Sequence, residues 1–195
     1  MFTGIIKYLG SVKENKQNKL IVQIRSDQEV NIGDSVACNG VCLTVTKIES
    51  DLYSFDLCRE TLEKTNLSQL KVDNLINIEF GAKFCDKIDG HIVTGHVHGL
   101  GAIQSIEQND TGWIFSFKPT QDILKYIIDK GSVAINGISL TISSVKKESQ
   151  SFEVNILPYT FEHTNLKNAK IGDQVNIEPD LFATYVMNII QNMKL

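Results

Sequence analysis

Ten residues of this chain return, nearly unchanged, one domain-length later. Ser35-Val36-Ala37-Cys38-Asn39-Gly40-Val41-Cys42-Leu43-Thr44 recurs ninety-seven residues on as Ser132-Val133-Ala134-Ile135-Asn136-Gly137-Ile138-Ser139-Leu140-Thr141, identical at seven of ten positions. Downstream, Glu60-Thr61-Leu62-Glu63-Lys64-Thr65-Asn66-Leu67 is answered by Tyr159-Thr160-Phe161-Glu162-His163-Thr164-Asn165-Leu166, and Asn77-Ile78-Glu79 by Asn176-Ile177-Glu178. Upstream, Thr3-Gly4 through Leu9-Gly10 is answered by Thr94-Gly95 through Leu100-Gly101. A period of roughly ninety-five residues is too long for a solenoid unit and suits one small domain. The chain therefore divides into two related domains, expected at 1–90 and 91–179, with a tail at 180–195. Two copies of one domain imply two pockets of the same shape.

The 195 residues, 42% of them hydrophobic, can fill two modest cores. A net charge of -4 and a pI near 5.6 give no electrostatic footprint for nucleic acid or an anionic membrane. No apolar run reaches the length of a membrane span, and Met1-Phe2-Thr3-Gly4 lacks the basic and apolar regions of a signal peptide, so a cytoplasmic location is expected. Cys38, Cys42, Cys58 and Cys85 all fall in the first copy, so they are no shared disulfide framework and read as reduced thiols.

Asn39-Gly40 and Asn136-Gly137 lie between β-branched runs, the strongest local signal for a two-residue hairpin. The register follows: Cys38 opposite Val41, Ala37 opposite Cys42, Val36 opposite Leu43, Ser35 opposite Thr44. Alternation sends Val36, Cys38, Val41, Leu43 and Val45 to the core, and Val133, Ile135, Ile138, Leu140 and Ile142 likewise. The opposite faces, Ser35/Ala37/Cys42/Thr44 and Ser132/Ala134/Ser139/Thr141, are small and polar, with room for a flat ligand or merely for solvent. Further strands are expected at Leu20–Ile24, Tyr53–Leu57, Ile76–Phe80, Trp113–Phe117, Phe152–Ile156 and Val175–Ile177, and short helical segments after Leu62 and after Gln121-Asp122. Several short strands per copy indicate a small closed barrel in each half. In the tail, Phe182, Val186, Ile189, Ile190 and Met193 form one helical stripe behind Pro179 and an Asp180 N-cap, suited to packing on another subunit or back on its own.

His91, His96 and His98 lie within eight residues where the halves join. That spacing invites a zinc site completed by Cys42 or Cys85, but no carboxylate–histidine pattern accompanies it, so no metal is expected. His91 and His98 read as turn or surface residues. The repeat sets His96 opposite Ile5 and Cys42 opposite Ser139, so the pockets share a shape and differ in reactive groups.

Met1-Phe2-Thr3-Gly4-Ile5-Ile6, the paired Asn-Gly-x-Cys-Leu-Thr and Asn-Gly-x-Ser-Leu-Thr hairpins, and Gly90-His91 through Thr94-Gly95-His96-Val97 resemble riboflavin synthase of the α-chain type over the whole chain. The resemblance implies an all-β chain of two tandem six-stranded Greek-key barrels with a C-terminal α-helix that assembles a homotrimer. It implies dismutation of two molecules of 6,7-dimethyl-8-ribityllumazine: one donates a four-carbon unit to the other, giving riboflavin and 5-amino-6-(D-ribitylamino)uracil with no metal or organic cofactor. Association with lumazine synthase is a further implied partner.

Carried over residue by residue, the resemblance gives the first barrel a pocket of Cys42, Leu43, Thr44, Asp56, Leu57, Cys58, Arg59, Glu60 and Thr61. Gly95, His96 and Val97 join from the second half, and Lys130 reaches in. The second pocket takes Ser139, Leu140, Thr141, Leu157, Pro158, Tyr159, Thr160, Phe161 and Glu162, with Gly4, Ile5 and Ile6 contributing. The implied catalytic site pairs the first barrel of one subunit with the second barrel of its neighbour. Ser35, Cys42, His96, Thr141 and Asp180 would serve the proton transfers.

Plainer roles stand beside these: Asp180 as a helix cap, Glu60 and Thr61 as turn formers, Cys42 as a small strand residue, Lys130 as a solvated charge. One departure is Asn136, where many family members carry Asp, which puts a charged role there in doubt. The rival on the same scaffold is a lumazine protein, which holds lumazine or flavin without turnover. A flavin reductase would need a nicotinamide site, and the chain has no Rossmann glycine fingerprint.

Overall fold

Each Asn-Gly pair closes the hairpin that its flanking residues dictate. In a computed structural model describing residues 1–120 and 122–193, Ser35, Val36, Ala37 and Cys38 pair with Thr44, Leu43, Cys42 and Val41 in turn, and the second copy repeats this register. Asn39 and Asn136 take the positive φ that this turn needs, at 48° and 46°. The first barrel comprises β1 (Tyr8–Lys16), β2 (Lys19–Gln23), β3 (Ser35–Cys38), β4 (Val41–Glu49), β5 (Leu52–Asp56) and β6 (Leu75–Phe80), with helix α1 (Arg59–Lys64) after β5. The second comprises β7 (Gly99–Asn109), β8 (Gly112–Pro119), β9 (Ser132–Ile135), β10 (Ile138–Lys146), β11 (Ser151–Ile156) and β12 (Gln174–Pro179), with α2 (Pro158–His163) after β11. Both sheets close, in the orders β1-β2-β5-β4-β3-β6 and β10-β11-β8-β7-β12-β9, the same Greek-key ring twice, and every pairing is antiparallel.

The inward residues expected from alternation fill the two cores, with Phe55, Phe115, Phe117 and Phe152 as the bulky centres. The six strands expected outside the hairpins lie within two residues of their observed bounds. Strands β1 and β7 escape a pattern search because little of them is apolar and inward: only Gly10 and Val12 are buried in β1. Helix α1 begins at Arg59, ahead of the expected turn after Leu62, and Leu124–Tyr126 forms a short 3-10 turn after Asp122. Gln121, part of that second expectation, lies outside the described residues.

The barrels meet about a pseudo-twofold axis at their hairpin tips. Gly40 and Gly137 touch: a Cβ on Gly40 would stand 2.5 Å from the Gly137 nitrogen, so no larger residue fits there. Six asparagines interlock around this point. Asn39 Oδ1 accepts from the Asn77 amide at 2.9 Å, and Asn136 Oδ1 from the Asn176 amide at 2.9 Å. Asn176 Oδ1 accepts from the Asn66 amide and Asn77 Oδ1 from the Asn165 amide, both at 2.7 Å. Asn77 Nδ2 and Asn176 Nδ2 cross to the opposite hairpin, donating to Asn136 O and Asn39 O. Buried polar groups persist where every donor and acceptor is met, and here a polar interface sets one barrel-to-barrel geometry.

The segments before β1 and β7 then change sides. Phe2 and Val93 bridge each other antiparallel across the axis, with N···O distances of 2.7 and 3.0 Å. Beyond the bridge, Gly4 O accepts from the Ser139 amide of the second barrel at 2.8 Å, and Gly95 O from the Cys42 amide of the first at 2.9 Å. Ile6 packs against the second core and Val97 against the first. Each barrel is plugged by the strap leading into the other. The tail forms α3 (Leu181–Asn192), whose first turn is capped by Asp180 Oδ1 accepting from the Phe182 amide at 2.8 Å. Its stripe of Phe182, Val186, Ile189, Ile190 and Met193 faces solvent. Positions 194–195 of the expected tail lie outside the described residues.

Candidate active site

The strap exchange builds a cavity of about 260 Å³ at the mouth of the first barrel, lined by Val41, Cys42, Cys58, Glu60, Thr61, Lys64, Thr65, Gly95, His96 and Val97. Three elements supply it. Strand β4 starts directly after the hairpin and presents Cys42, half-buried. Helix α1 presents Glu60, Thr61 and Lys64, with Glu60 and Lys64 ion-paired at 2.7 Å. The strap presents His96, held beside Cys42 because Gly95 lies so close: with φ at +81°, its position leaves 2.5 Å between an added Cβ and Cys42 Cβ. The Thr61 hydroxyl, 3.2 Å from Cys58 Sγ, lowers that thiol's pKa, whereas burial pushes the pKa of Cys38 in the core well up.

Of the other residues carried over to this pocket, Leu43 and Leu57 are buried in the core. Thr44, Asp56 and Arg59 are exposed, Arg59 pairing with Glu63 at 2.6 Å. Ser35 pairs with Thr44 across the hairpin, exposed and outside the cavity lining. Lys130 belongs to a turn of the second barrel, where its Nζ donates to Ser143 O at 2.7 Å, so within one chain it does not line this cavity.

The second mouth repeats the plan with different groups. Ser139 stands where Cys42 does, and Ile5, half-buried on its strap, stands where His96 does. Leu140 is buried, while Thr141 is exposed opposite Ser132. In α2, Phe161 stacks on Trp113 at 3.9 Å between centroids and Tyr159 stacks on His163 at 4.0 Å. Leu157 and Tyr159 stay exposed, as does Glu162; Pro158 opens the helix and Thr160 O accepts from the Thr164 hydroxyl. The outer hairpin face is less open than its small residues suggest. Ala37 and Ala134 are buried under Phe2 and Val93, because the straps must cross there to exchange barrels.

His91 is no surface residue. It is buried, with its amide donating to Thr3 O at 3.1 Å and Nδ1 2.7 Å from Ser139 Oγ. Burial lowers its pKa, and Asp180 and Glu178 partly oppose that shift. Asp180 thus has two duties, capping α3 and placing negative charge near His91. His98 lies edge-on to Tyr126 at 5.7 Å. The three histidines go to separate tasks, and no group of three metal-ligating side chains converges among the described residues.

Two buried carboxylates that hold the straps escaped the sequence reading. Glu79 accepts from the Thr3 amide (2.7 Å), the Thr3 hydroxyl (2.8 Å) and the Gly4 amide (2.9 Å). Glu178 accepts from the Thr94 amide and hydroxyl, both at 2.7 Å, and the Gly95 amide at 3.0 Å. Burial raises the pKa of Glu79, and these donors counter it. The signal was visible in the repeated Asn77-Ile78-Glu79 and Asn176-Ile177-Glu178: a polar strand face kept in both copies marks a shared polar contact. Asn136 belongs to the same logic, its Oδ1 accepting from Asn66 Nδ2 and the Asn176 amide.

The model of the lumazine binding domain matches residues 3–81 and again 94–180. Riboflavin synthase of Actinobacillus pleuropneumoniae is 40% identical over 191 residues, covering 95% of this chain and 88% of that protein. Riboflavin synthase of Escherichia coli K12 is 39% identical over 202 residues, covering 99% and 93%. Among solved structures, LumP complexed with riboflavin superposes with a TM-score of 0.85 at 25% identity, covering 92% of this chain and 99% of that one. With the domain matched twice and such identity along nearly the full length, the chain belongs to the riboflavin synthase family of paired lumazine-binding domains.

Proposed function

We propose that the protein converts two molecules of 6,7-dimethyl-8-ribityllumazine into riboflavin and 5-amino-6-(D-ribitylamino)uracil. The observation that carries this reading is a pair of equivalent strap-to-hairpin junctions whose matching positions differ: Cys42 and His96 in one, Ser139 and Ile5 in the other. A reaction between identical molecules needs a donor and an acceptor, and unequal groups in equal pockets supply that distinction. What one lumazine loses the other gains, so the transfer needs no oxidant or reductant. Holding two flat rings in reacting register contributes much of the acceleration. Cys42 and His96 move protons at the first pocket, with Ser35, Thr141 and Asp180 as further polar groups.

The two mouths belong to different barrels, and the reactants must meet. The reading therefore pairs the first barrel of one subunit with the second barrel of a neighbour in a homotrimer, Lys130 entering the first pocket from the adjoining chain. Support comes from the solvent-facing stripe of α3 and from exposed Leu157 and Tyr159 around the second mouth, apolar surface that a ligand and a neighbour would cover. A cytoplasmic setting is expected from the sequence, and association with lumazine synthase rests on the family resemblance alone.

The test supplies purified protein with 6,7-dimethyl-8-ribityllumazine and nothing else. One riboflavin should form for every two lumazines consumed. Tight ligand binding without turnover would instead place the chain with ligand-holding relatives, consistent with its likeness to LumP complexed with riboflavin.

A further inference from the structure

We propose that Glu178 and Thr94 are positioning residues for His96, setting from the second barrel a side chain that serves the first barrel's pocket. The importance of His96 rests on the function proposed above; the clamp itself is geometric. His96 lies on a strap outside any strand, so no ladder of hydrogen bonds places it. Glu178 does this instead. Only 5% exposed on β12, it has no cationic partner among the described residues and is satisfied by the three strap donors from Thr94 and Gly95. A buried carboxylate persists only when so satisfied.

The hydroxyl of Thr94 carries the restraint onward. Its single proton goes to Glu178 Oε1 at 2.7 Å, which leaves its lone pairs to accept from the His96 amide at 3.2 Å. On the far side, Gly95 O is pinned by the Cys42 amide and Val97 is packed into the first core. The backbone of His96 is thus fixed before and behind, relative to the strand that carries Cys42. The sister clamp is a built-in comparison. Glu79 grips Thr3 and Gly4 with the same three bonds, but among the described residues no bond joins the Ile5 amide to the Thr3 hydroxyl. The relay is present on the strap with the titratable group and missing from the strap with the aliphatic one.

The test uses the full chain as Thr94→Val, Thr94→Ser, Glu178→Gln and Thr3→Val. Readouts are melting temperature, kcat and KM for riboflavin formation, and the ring signals of His96 in protein labelled with ¹⁵N-histidine, assigned by their loss in His96→Gln. Thr94→Val should lower kcat about tenfold to a hundredfold, the scale of a misplaced reacting group, while moving KM about threefold at most. It should also shift the His96 ring signals, and Thr94→Ser, which keeps the hydroxyl, should restore both. Thr3→Val should cost similar thermal stability yet leave the His96 signals in place.

If Thr94→Val does not fold, Glu178→Gln carries the same test, because its amide turns a donor toward the Gly95 N–H at unchanged size. Unmoved His96 signals in the folded variant, or a kcat loss that Thr94→Ser fails to recover, would overturn the clamp. A wild-type protein that makes no riboflavin would overturn the functional reading instead, and the ring signals would still decide the clamp.

Discussion

Asn176→Ala should loosen the two barrels from each other and so disable both pockets at once. The side chain is 1% exposed and makes three bonds: Oδ1 accepts from the Asn66 amide at 2.7 Å, and Nδ2 donates to Asn39 O at 2.8 Å and Asn66 Oδ1 at 3.0 Å. Truncation strands two backbone groups, the Asn66 N–H and the Asn39 C=O, in a region closed to water. At about 1–3 kcal/mol for each orphaned group, the loss is about 4 kcal/mol. For a chain of this size that corresponds to a fall in Tm of about 10 °C, at about 2–4 °C per kcal/mol. Asn77→Ala, its mate across the axis, strands the Asn165 N–H and Asn136 O and should cost about the same.

The assay is calorimetry of the full chain beside lumazine binding followed by fluorescence. Since each pocket borrows a strap from the other half, ligand binding should fail at a lower temperature than barrel unfolding in the variants, and together with it in the wild type. A Tm change under about 2 °C would refute the reasoning, because it would mean the stranded groups find other partners without cost.

Asn136→Asp should change stability by about 1 kcal/mol or less by chemical denaturation, because Oδ1 accepts both its bonds and either residue offers that oxygen; a loss like that of Asn176→Ala would show that the amide nitrogen matters. Cys42→Ser should lower turnover more than lumazine binding or Tm, since serine stands at the matching position and keeps the shape while replacing a polarizable sulfur with oxygen; unchanged turnover would make Cys42 a space-filling residue. Deleting 181–195 should leave both barrels folded by circular dichroism while sedimentation shows that the proposed trimer no longer forms, and most activity should go with it; a truncated protein that still sediments as a trimer would refute the role proposed for α3. Because burial lowers the pKa of His91 below its usual 6.5, the unfolded chain takes up a proton first as pH falls below that value. The stability that His91 contributes is therefore present above pH 6.5 and lost as pH falls through the window down to its folded pKa; urea unfolding across that window should show a slope that His91→Gln flattens.

Much of this was written locally. Asn39-Gly40 specifies its own turn, and alternation then decides which of Cys38 and Cys42 is core and which faces the mouth. The Pro179-Asp180 start and the apolar spacing after it specify α3. The candidate site was outlined by the repeat itself, which sets Cys42 against Ser139 and His96 against Ile5. Less legible were β1 and β7, whose inward residues are too few and too small to form a pattern, and His91, whose burial depends on Thr3 and Ser139, far away along the chain.

What sequence alone determined was the unit: a repeated hairpin, a small barrel, and two versions of one pocket, since turn chemistry and side-chain alternation act over a few residues. Tertiary structure decided how the units combine. The asparagine interlock joins groups as far apart as Asn39 and Asn176, and Glu178 reaches back to Thr94. Nothing local to any of these residues names its partner, because a polar side chain on a strand can equally be satisfied by water. Only when the Gly40 and Gly137 tips meet is water shut out, and the bonds that replace it carry each strap across to the other barrel, where it completes the pocket.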